Sequence, residues 1–467
     1  MPSLPLAKGN YQRFDNTPVR LTNAYFEQDP TNVRDQMSLI PRPGLATFAT
    51  LAGPSVAGMI RREDSDETVL CVSGTVAQVV SPEGIVTAAG TGLTGTNRVS
   101  MAADGANIMI ARAGLLYVQT GTTVTLVEMP DDILVLNVVF LAGRFWIATE
   151  LDGRVYFTVP GETTVDALNY FSAESAPDPL VGIAVSGDEL ILLGRSSVEY
   201  WTPTGDQDLP ATRVVGRASK VGCASMYSIG TGDLVAWVGD DCMVYRSGDA
   251  LPVPIGDAGL SAIIRKARPA LDETDPAKTL NGWTFSIENH TFYVLDIPGH
   301  GTQAFDFMTN QWCELTSVDH PLFNAGCGVK LSEGRWLAGG TFDGKVRLFS
   351  PDALEDDEGP IVRVYPALLP VRSTEVCHNV VLECTVGSAT LVYPVDNPRA
   401  GCRFSRNGGR TWSDWTYTSL GQQGDYDLKP SFRGLGRMEA PSHLFEFRIS
   451  DPVPFVLRAA RYNEGVN

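Results

Sequence analysis

"AVSGDELILLGRSSVEYWT" spans residues 184–202, and its grammar decides the fold. A strand ends in the tight turn Gly187-Asp188, and the apolar strand "ELILL" follows. A second polar turn intervenes, and a strand with Val198, Tyr200 and Trp201 closes the phrase. The phrase recurs as "MAADGANIMIARAGLLYVQ" (101–119), "VFLAGRFWIATELDGRVYFT" (139–158), "SIGTGDLVAWVGDDCMVYRS" (228–247), "SIENHTFYVLDIPGHGTQAFDF" (286–307) and "GVKLSEGRWLAGGTFDGKVRLFS" (328–350). A weaker first copy is "MIRREDSDETVLCVSGTVAQVVS" (59–81). With Ile108, Trp146, Ile191, Ala236, Phe292 and Leu337 as equivalent centres, the steps are 38, 45, 45, 56 and 45 residues. Each step holds about four strands of chain, the content of a propeller blade of ~40–50 residues. The central strands are continuously apolar rather than alternating, as expected of strands covered on both faces. Residues about 45–350 therefore predict a six- or seven-bladed β-propeller, since closure could merge the first and last of the seven visible hairpins.

The rest of the chain reads differently. The acidic run "EDDEG" (355–359), followed by Pro360, ends the repeat and predicts a solvated linker over 351–360. Beyond it, "IVRVYPALLPVR", "NVVLECTVG", "GCRFSRNGGRTW", "HLFEFRIS" and "FVLRAARY" alternate apolar and polar residues. That pattern predicts a C-terminal antiparallel β-sandwich over 361–467. Residues 1–44 carry no repeat and many Pro, Asn and Asp, and predict an irregular N-terminal arm that packs against something else. The class is all-β: Gly is 46 and Pro 30 in 467 residues, and helical stripes are scarce.

Charge is unevenly placed. The chain carries −18; residues 361–467 hold 12 Lys+Arg against 10 Asp+Glu, leaving 24 against 44, or −20, for residues 1–360. An acidic body argues against a protein that grips phosphate backbones, though not against one that lets DNA pass without sticking. The opening "MPSLPLAKGNYQRF" has no continuous apolar core, so no signal peptide is expected. The apolar run 133–148 is broken by Asn137, Gly143 and Arg144 and reads as paired strands rather than a membrane helix. Eight scattered Cys without a C-x-x-C pair read as reduced core residues.

Motifs that could carry chemistry fail on context. "GTGLTG" (Gly90, Gly92, Gly95) matches G-x-G-x-x-G but runs into a strand rather than a helix, so no dinucleotide site is expected. "GGTFDGK" (339–345) resembles a phosphate loop, yet Val346 stands where Ser or Thr should hold Mg²⁺, inside a repeat hairpin. The five His (290, 300, 320, 378, 443) never fall at H-x-x-x-H spacing. Asp206 and Asp208 lack the other ligands of a calcium loop, and Asp240 and Asp241 occupy a blade turn. No catalytic residue, cofactor or metal is expected.

"FSRNGGRTWSDW" (404–415) remains. Ser405, Asn407, Gly409 and Trp412 fit S-x-[DN]-x-G-x-x-W, the Asp-box hairpin best known from sialidases. Each has a folding role: Ser405 and Asn407 bond their own turn, Gly409 supplies a positive φ, and Trp412 anchors the hairpin in the sheet. A sialidase would also need an arginine cluster, a Tyr and a Glu, and several boxes within its propeller. This single box lies outside the propeller.

The chain also resembles the tail-hub, or tail-nozzle, proteins of short-tailed bacteriophages, the packaged-DNA stabilisation family. The resemblance rests on "RLTNAYFEQDP" with "LIPRPGL" (20–45), "NRVSMAADG" (97–105), and "LNYFSAESAPDPLVGIAVSGDELILLGRSSVEYWTPTG" (168–205). "AFDFMTNQWCEL" (304–315), "HNVVLECTVG" (378–387), "FSRNGGRTWSDW" and "FEFRISDPVPFVLRAA" (445–460) extend it almost end to end. It implies a structural protein of the virion, assembled in the bacterial cytoplasm as a homohexameric ring below the portal and its adaptor. Such a ring retains the packaged genome, carries tail needle or plug and fibre or spike proteins, and conducts double-stranded DNA without binding it specifically. Two other classes compete: a propeller glycosidase acting on host surface glycan, and a binding propeller that stays monomeric. The first would gather an Arg cluster and a Tyr–Glu pair at one propeller mouth; the second would sediment near 50 kDa, the mass of one chain.

Overall fold

The computed structural model describes residues 3–11, 19–32, 35–62, 67–150, 153–173, 178–207, 209–232, 234–371, 373–388, 392–438 and 442–463. The chain forms two compact units: Thr47–Gly301 with Pro321–Leu348, and Met1–Ala46 with Thr302–His320 and Phe349–Asn467.

The first unit is a propeller, with seven blades among the described residues. Blade 1 comprises Val56–Arg61, Val69–Ser73, Val76–Val80 and Val86–Thr91. Blade 2 comprises Ser100–Ala103, Asn107–Arg112, Leu115–Thr120 and Thr123–Val127; blade 3, Val135–Leu141, Arg144–Thr149, Arg154–Phe157 and Tyr170–Ser172. Blade 4 has Leu180–Ser186, Glu189–Gly194, Val198–Pro203 and Ala211–Ser219. Blade 5 is the most irregular: Ala236–Val238, Val244–Arg246 and Val253–Pro254 follow an inner segment that forms no named strand. That segment meets them at the Gly230–Ala236 bridge and through the Ala224 N–H, which donates to Val238 O at 2.8 Å. Blade 6 contributes the hairpin Asn281–Ile287 and His290–Ile297. Blade 7, Cys327–Lys330, Trp336–Gly339 and Lys345–Ser350, is completed by Gly44–Thr50 from the far end of the sequence. That closure adds a strand to blade 7 and merges no blades.

The six repeat centres fall in equivalent places: Ile108, Trp146, Ile191, Ala236, Phe292 and Leu337 all lie on the strand next to the innermost one. The innermost strands close a circle. Val56–Arg61 neighbours Ser100–Ala103, then Val135–Leu141, then Leu180–Ser186; Asn281–Ile287 neighbours Cys327–Lys330, which returns to Val56–Arg61. Hydrophobic clusters lie between consecutive blades rather than within them. Trp146, Val155 and Phe157 of blade 3 pack on Ile183, Leu190, Leu192 and Trp201 of blade 4. Ala49, Leu337 and Val346 of blade 7 pack on Val56, Val69 and Cys71 of blade 1. The second strands are therefore covered from both sides, which is why Arg144–Thr149 and Val69–Ser73 are buried throughout. The helix Ala258–Ala267 between blades 5 and 6 starts at Asp257, whose carboxylate accepts the Leu260 N–H at 2.7 Å.

The second unit is a sandwich of two antiparallel sheets. One has the order Arg363–Pro370, Ser442–Ile449, Arg399–Ser405, Thr416–Ser419. The other has the order Ala24–Glu27, Ser38–Pro41, Leu457–Tyr462, Glu375–Cys384, Ser431–Met438, with Ser3–Leu4 also paired to Leu457–Tyr462. The N-terminal residues thus depart from the expected irregular arm. They supply three strands to the sandwich, and Leu4, Leu21, Tyr25 and Leu39 are buried there. Polar residues of the same segment clasp the hairpin Gly301–Asp306/Gln311–Leu315. Asn10 donates to Gln303 at 2.7 Å, Thr22 to Glu314 at 3.2 Å and Asn23 to Thr316 at 2.7 Å.

The acidic run is not a solvated tether either. Glu355–Asp356 and Gly359–Pro360 form a small hairpin. Asp356 is buried in a two-point ion pair with Arg42, at 2.5 and 2.8 Å, and accepts the Leu45 N–H at 3.0 Å. Composition marked the run as exposed because a buried carboxylate requires a partner, and the partner lies 314 residues away.

Candidate functional site

The innermost strands enclose a cavity of about 420 Å³. Met59, Met101, Val139, Ile183, Ile229 and Val329 give it apolar walls, and of its lining residues only Arg98 and Lys330 are charged. At the end where these strands begin, Tyr227 lies among Asn97, Arg98, Arg112 and Glu273. This is the combination of Arg, Tyr and Glu that a glycosidase reading requires, so its geometry matters.

The two Arg and the Glu are committed to holding the propeller together. Arg98 donates to Gly326 O at 2.8 Å and to Thr341 Oγ1 at 3.3 Å, joining blade 2 to blade 7. Arg112 donates to Asn97 O at 2.9 Å and Gly74 O at 2.6 Å. Glu273 Oε1 accepts from Ser225 at 3.0 Å, and its carbonyl accepts from Asn97 at 3.0 Å. Thr96 donates to Thr274 O at 2.6 Å, so the connection between blades 5 and 6 is fastened to the start of blade 2. Burial, reinforced by the Glu273 charge, raises the Tyr227 phenol above its ordinary value, whereas a nucleophilic Tyr needs the opposite. Neighbouring polar residues do the same work: Asn137 exchanges two hydrogen bonds with the Ile183 backbone, at 2.7 and 2.9 Å, joining blades 3 and 4.

The motifs singled out in the sequence are likewise structural. Gly90, Gly92 and Gly95 all have positive φ and run from blade 1 into blade 2 with no helix following. In "GGTFDGK", Asp343 accepts the Lys345 N–H at 3.1 Å and pairs with Arg347. Asp240 accepts the Gly222 N–H at 2.9 Å; Asp241 accepts the Met243 N–H and the Tyr245 hydroxyl, each at 2.8 Å. Asp208 lies outside the described residues. All eight Cys are free thiols, and burial pushes the Cys223 thiol up to about 12. Among the described residues no three His, Cys, Asp or Glu side chains gather as metal ligands.

The hairpin at 404–415 brings Ser405, Asn407 and Gly409 together. Ser405 Oγ accepts the Gly409 N–H at 2.7 Å, and Asn407 Oδ1 accepts the Thr411 N–H at 2.9 Å. Gly408 and Gly409 hold φ of +69° and +83°. Trp412 is placed differently from a core anchor. It is half-buried, with the Arg403 guanidinium 4.5 Å from its ring centre, and Arg403 is itself paired to Glu446 at 2.5 Å. Trp412→Ala is accordingly expected to cost about 1–2 kcal/mol, less than a fully buried Trp. Chemical denaturation measures it, and a loss above about 4 kcal/mol would mean a buried plug.

His443, on Ser442–Ile449, is fully buried between Phe404 and Phe445, and neither ring nitrogen has a hydrogen-bond partner. Burial, aided by the Arg406 charge, lowers its pKa to about 4. The unfolded chain takes up this proton near pH 6.5 and the folded chain only near pH 4. Stability is therefore complete above about pH 6.5 and declines as pH falls toward 4. Between pH 7 and pH 5 the decline is about 2 kcal/mol. His443→Leu is expected to abolish this part of the acid sensitivity, read from denaturation midpoints at pH 7 and pH 5. An unchanged pH dependence would exclude His443 as its source.

Comparison with known proteins identifies the class first: a structural protein of a bacteriophage tail, a component of the virion, with no enzymatic family indicated. The family model described as Bacteriophage P22 Gp10, β-propeller, matches residues 2–350, and its β-sandwich counterpart matches residues 362–463. The chain belongs to this family, that of podovirus tail hub proteins. The tail hub protein gp10 of Salmonella phage P22 is 26% identical over 247 residues, 48% of this chain and 51% of that protein. The match thus spans about half the length of that relative. Among solved structures, a streptogramin B lyase shares 11% identity over 66% of this chain and 97% of its own, with a TM-score of 0.45. The WD40 β-propeller domain of Doa1 shares 12% over 66% and 97%, with a TM-score of 0.42. YCF48 from Cyanidioschyzon merolae shares 12% over 66% and 99%, with a TM-score of 0.41. These likenesses are distant and say nothing of function.

Proposed function

We propose that the chain forms the hub of a short phage tail: a sixfold ring below the portal and its adaptor that retains packaged DNA. In this reading the ring also carries needle or plug and fibre or spike proteins and conducts the genome on ejection. The observation that carries it is the family match through both the propeller and the sandwich. The propeller, about 45–350, and the sandwich, 361–467 together with the N-terminal strands, are then two building blocks of one ring subunit. Ser405, Asn407, Gly409 and Trp412 serve folding alone.

The size of the propeller cavity supports one detail. About 420 Å³ is room for a small molecule, not for a duplex, so the conduit is formed between copies. Six copies at −18 each carry roughly −100 before counterions. Retention is then mechanical rather than by affinity, because a cationic wall would hold phosphates through counterion release. The isolated chain is expected to bind linear duplex DNA no better than millimolar at about 0.15 M salt, where repulsion is screened within about 8 Å. Micromolar, steeply salt-dependent binding would contradict this. The hub reading itself is tested with particles assembled without the chain: heads should fill and then lose their DNA, and stable, filled, infectious particles would refute it.

A further inference from the structure

Ala211–Ser219 is the outermost strand of blade 4 and, at nine residues, the longest in the propeller unit among the described residues. Among the described residues no strand lies beyond it in its sheet. Its own pairing with Val198–Pro203 breaks between Arg213 and Ala218, where Gly216 holds a φ of +84°, so N–H and C=O groups are left unpaired along the edge. Propellers ordinarily leave only short, protected edges. This one is long and exposes Val215 to 89%.

Its charge is opposite to that of the surrounding protein. Between Leu209 and Gly232 the chain holds Arg213, Arg217 and Lys220 and no Asp or Glu, within a body of net charge −20. Arg217 is anchored: it pairs with Glu189 at 2.5 Å, donates to Gly248 O at 3.1 Å, and lies 4.0 Å over the Tyr200 ring. It forms one wall of a pocket of about 400 Å³ between blades 4 and 5, which Arg246, Glu189 and Asp249 also line. Arg213, Lys220 and Arg246 have no side-chain partner among the described residues. The strand thus combines free backbone groups, an exposed apolar side chain and the unpaired Arg213, with Lys220 just beyond its end and Arg246 across a pocket able to take a side chain.

We propose that Ala211–Ser219 is a docking edge to which an extended acidic segment of a partner protein adds as a fifth strand. Main-chain hydrogen bonds would supply affinity. Carboxylates opposite Arg213 and Arg246 would select acidic segments over others. The inference concerns this chain's own edge and is read on the isolated protein, so its outcome is independent of where the chain sits in a tail.

The probe is a blocked seven-residue peptide alternating Glu and Val, compared with one alternating Lys and Val. The acidic peptide is expected to slow amide hydrogen exchange within residues 212–218 and to bind more weakly as salt is raised. The lysine peptide should do neither. Arg213→Glu combined with Arg246→Glu should weaken binding at least tenfold, and Val215→Pro, which removes an edge N–H, should abolish the added protection. If Val215→Pro fails to fold, the two surface arginine changes decide alone. The proposal is overturned if the acidic peptide leaves exchange at 212–218 unchanged, if the lysine peptide binds equally well, or if the double arginine variant keeps full affinity.

Discussion

Deleting residues 1–41 is expected to prevent the sandwich unit from folding while leaving Gly44–Thr50 available to blade 7. Three strands would be lost from one sheet, and Leu457–Tyr462 would lose its pairing with Ser3–Leu4 and Ser38–Pro41. Leu4, Leu21, Tyr25 and Leu39 are each at most 5% exposed. At about 1.5–3 kcal/mol per buried large apolar side chain, their loss totals roughly 6–12 kcal/mol. That is the size of a whole domain's stability, about 5–15 kcal/mol. Amide exchange in Glu375–Cys384 and Leu457–Tyr462 is the readout. Protection within those strands should fall to that of an unfolded chain, and protection unchanged from the full chain would show that the N-terminal strands are dispensable.

Arg42→Ala is expected to cost about 3–5 kcal/mol, because it strands the buried Asp356 carboxylate without its counter-ion. The two side chains are 4% and 3% exposed, so water cannot replace the lost partner. Arg42 also donates to Asn23 Oδ1 at 2.9 Å and Thr316 O at 3.1 Å, tying three separated segments of the unit together. Asp356→Asn should cost less than Asp356→Ala, since an amide can still accept the Leu45 N–H. A combined Arg42→Met, Asp356→Leu variant should recover much of the stability, as apolar replacements of buried ion pairs often do. Equilibrium denaturation of the four variants measures these differences. A loss below about 1 kcal/mol for Arg42→Ala would place the pair in the weak, solvent-exposed category.

What could be read from the sequence follows from how far apart the interacting residues lie. The second strand of each blade is apolar on both faces, so Trp146, Ile191 and Leu337 announced their blades without knowledge of their neighbours. Blade number could not be settled, because it depends on where Gly44–Thr50 pairs, some 300 residues from its partner strand in blade 7. The N-terminal strands were hidden for the same reason. "AYFE" and "SLIP" are too short to alternate clearly and become strands only beside Leu457–Tyr462. Arg98, Arg112, Tyr227 and Glu273 come singly from separate parts of the chain, with no spacing to betray them. The Asp-box turn, by contrast, is entirely local, and its hydrogen bonds were predictable from Ser405, Asn407 and Gly409 alone. The burial of Trp412 was not, since it depends on Arg403 lying over the ring.

The central claim is that this chain is a ring-forming structural subunit of a phage tail. Electron cryo-microscopy of the purified virion that encodes it tests this most directly. The account predicts six copies of a seven-bladed propeller and a sandwich around the tail axis at a single vertex, with the DNA path between copies rather than through any propeller. A virion lacking the chain, or holding it as single copies scattered over the capsid, would contradict it.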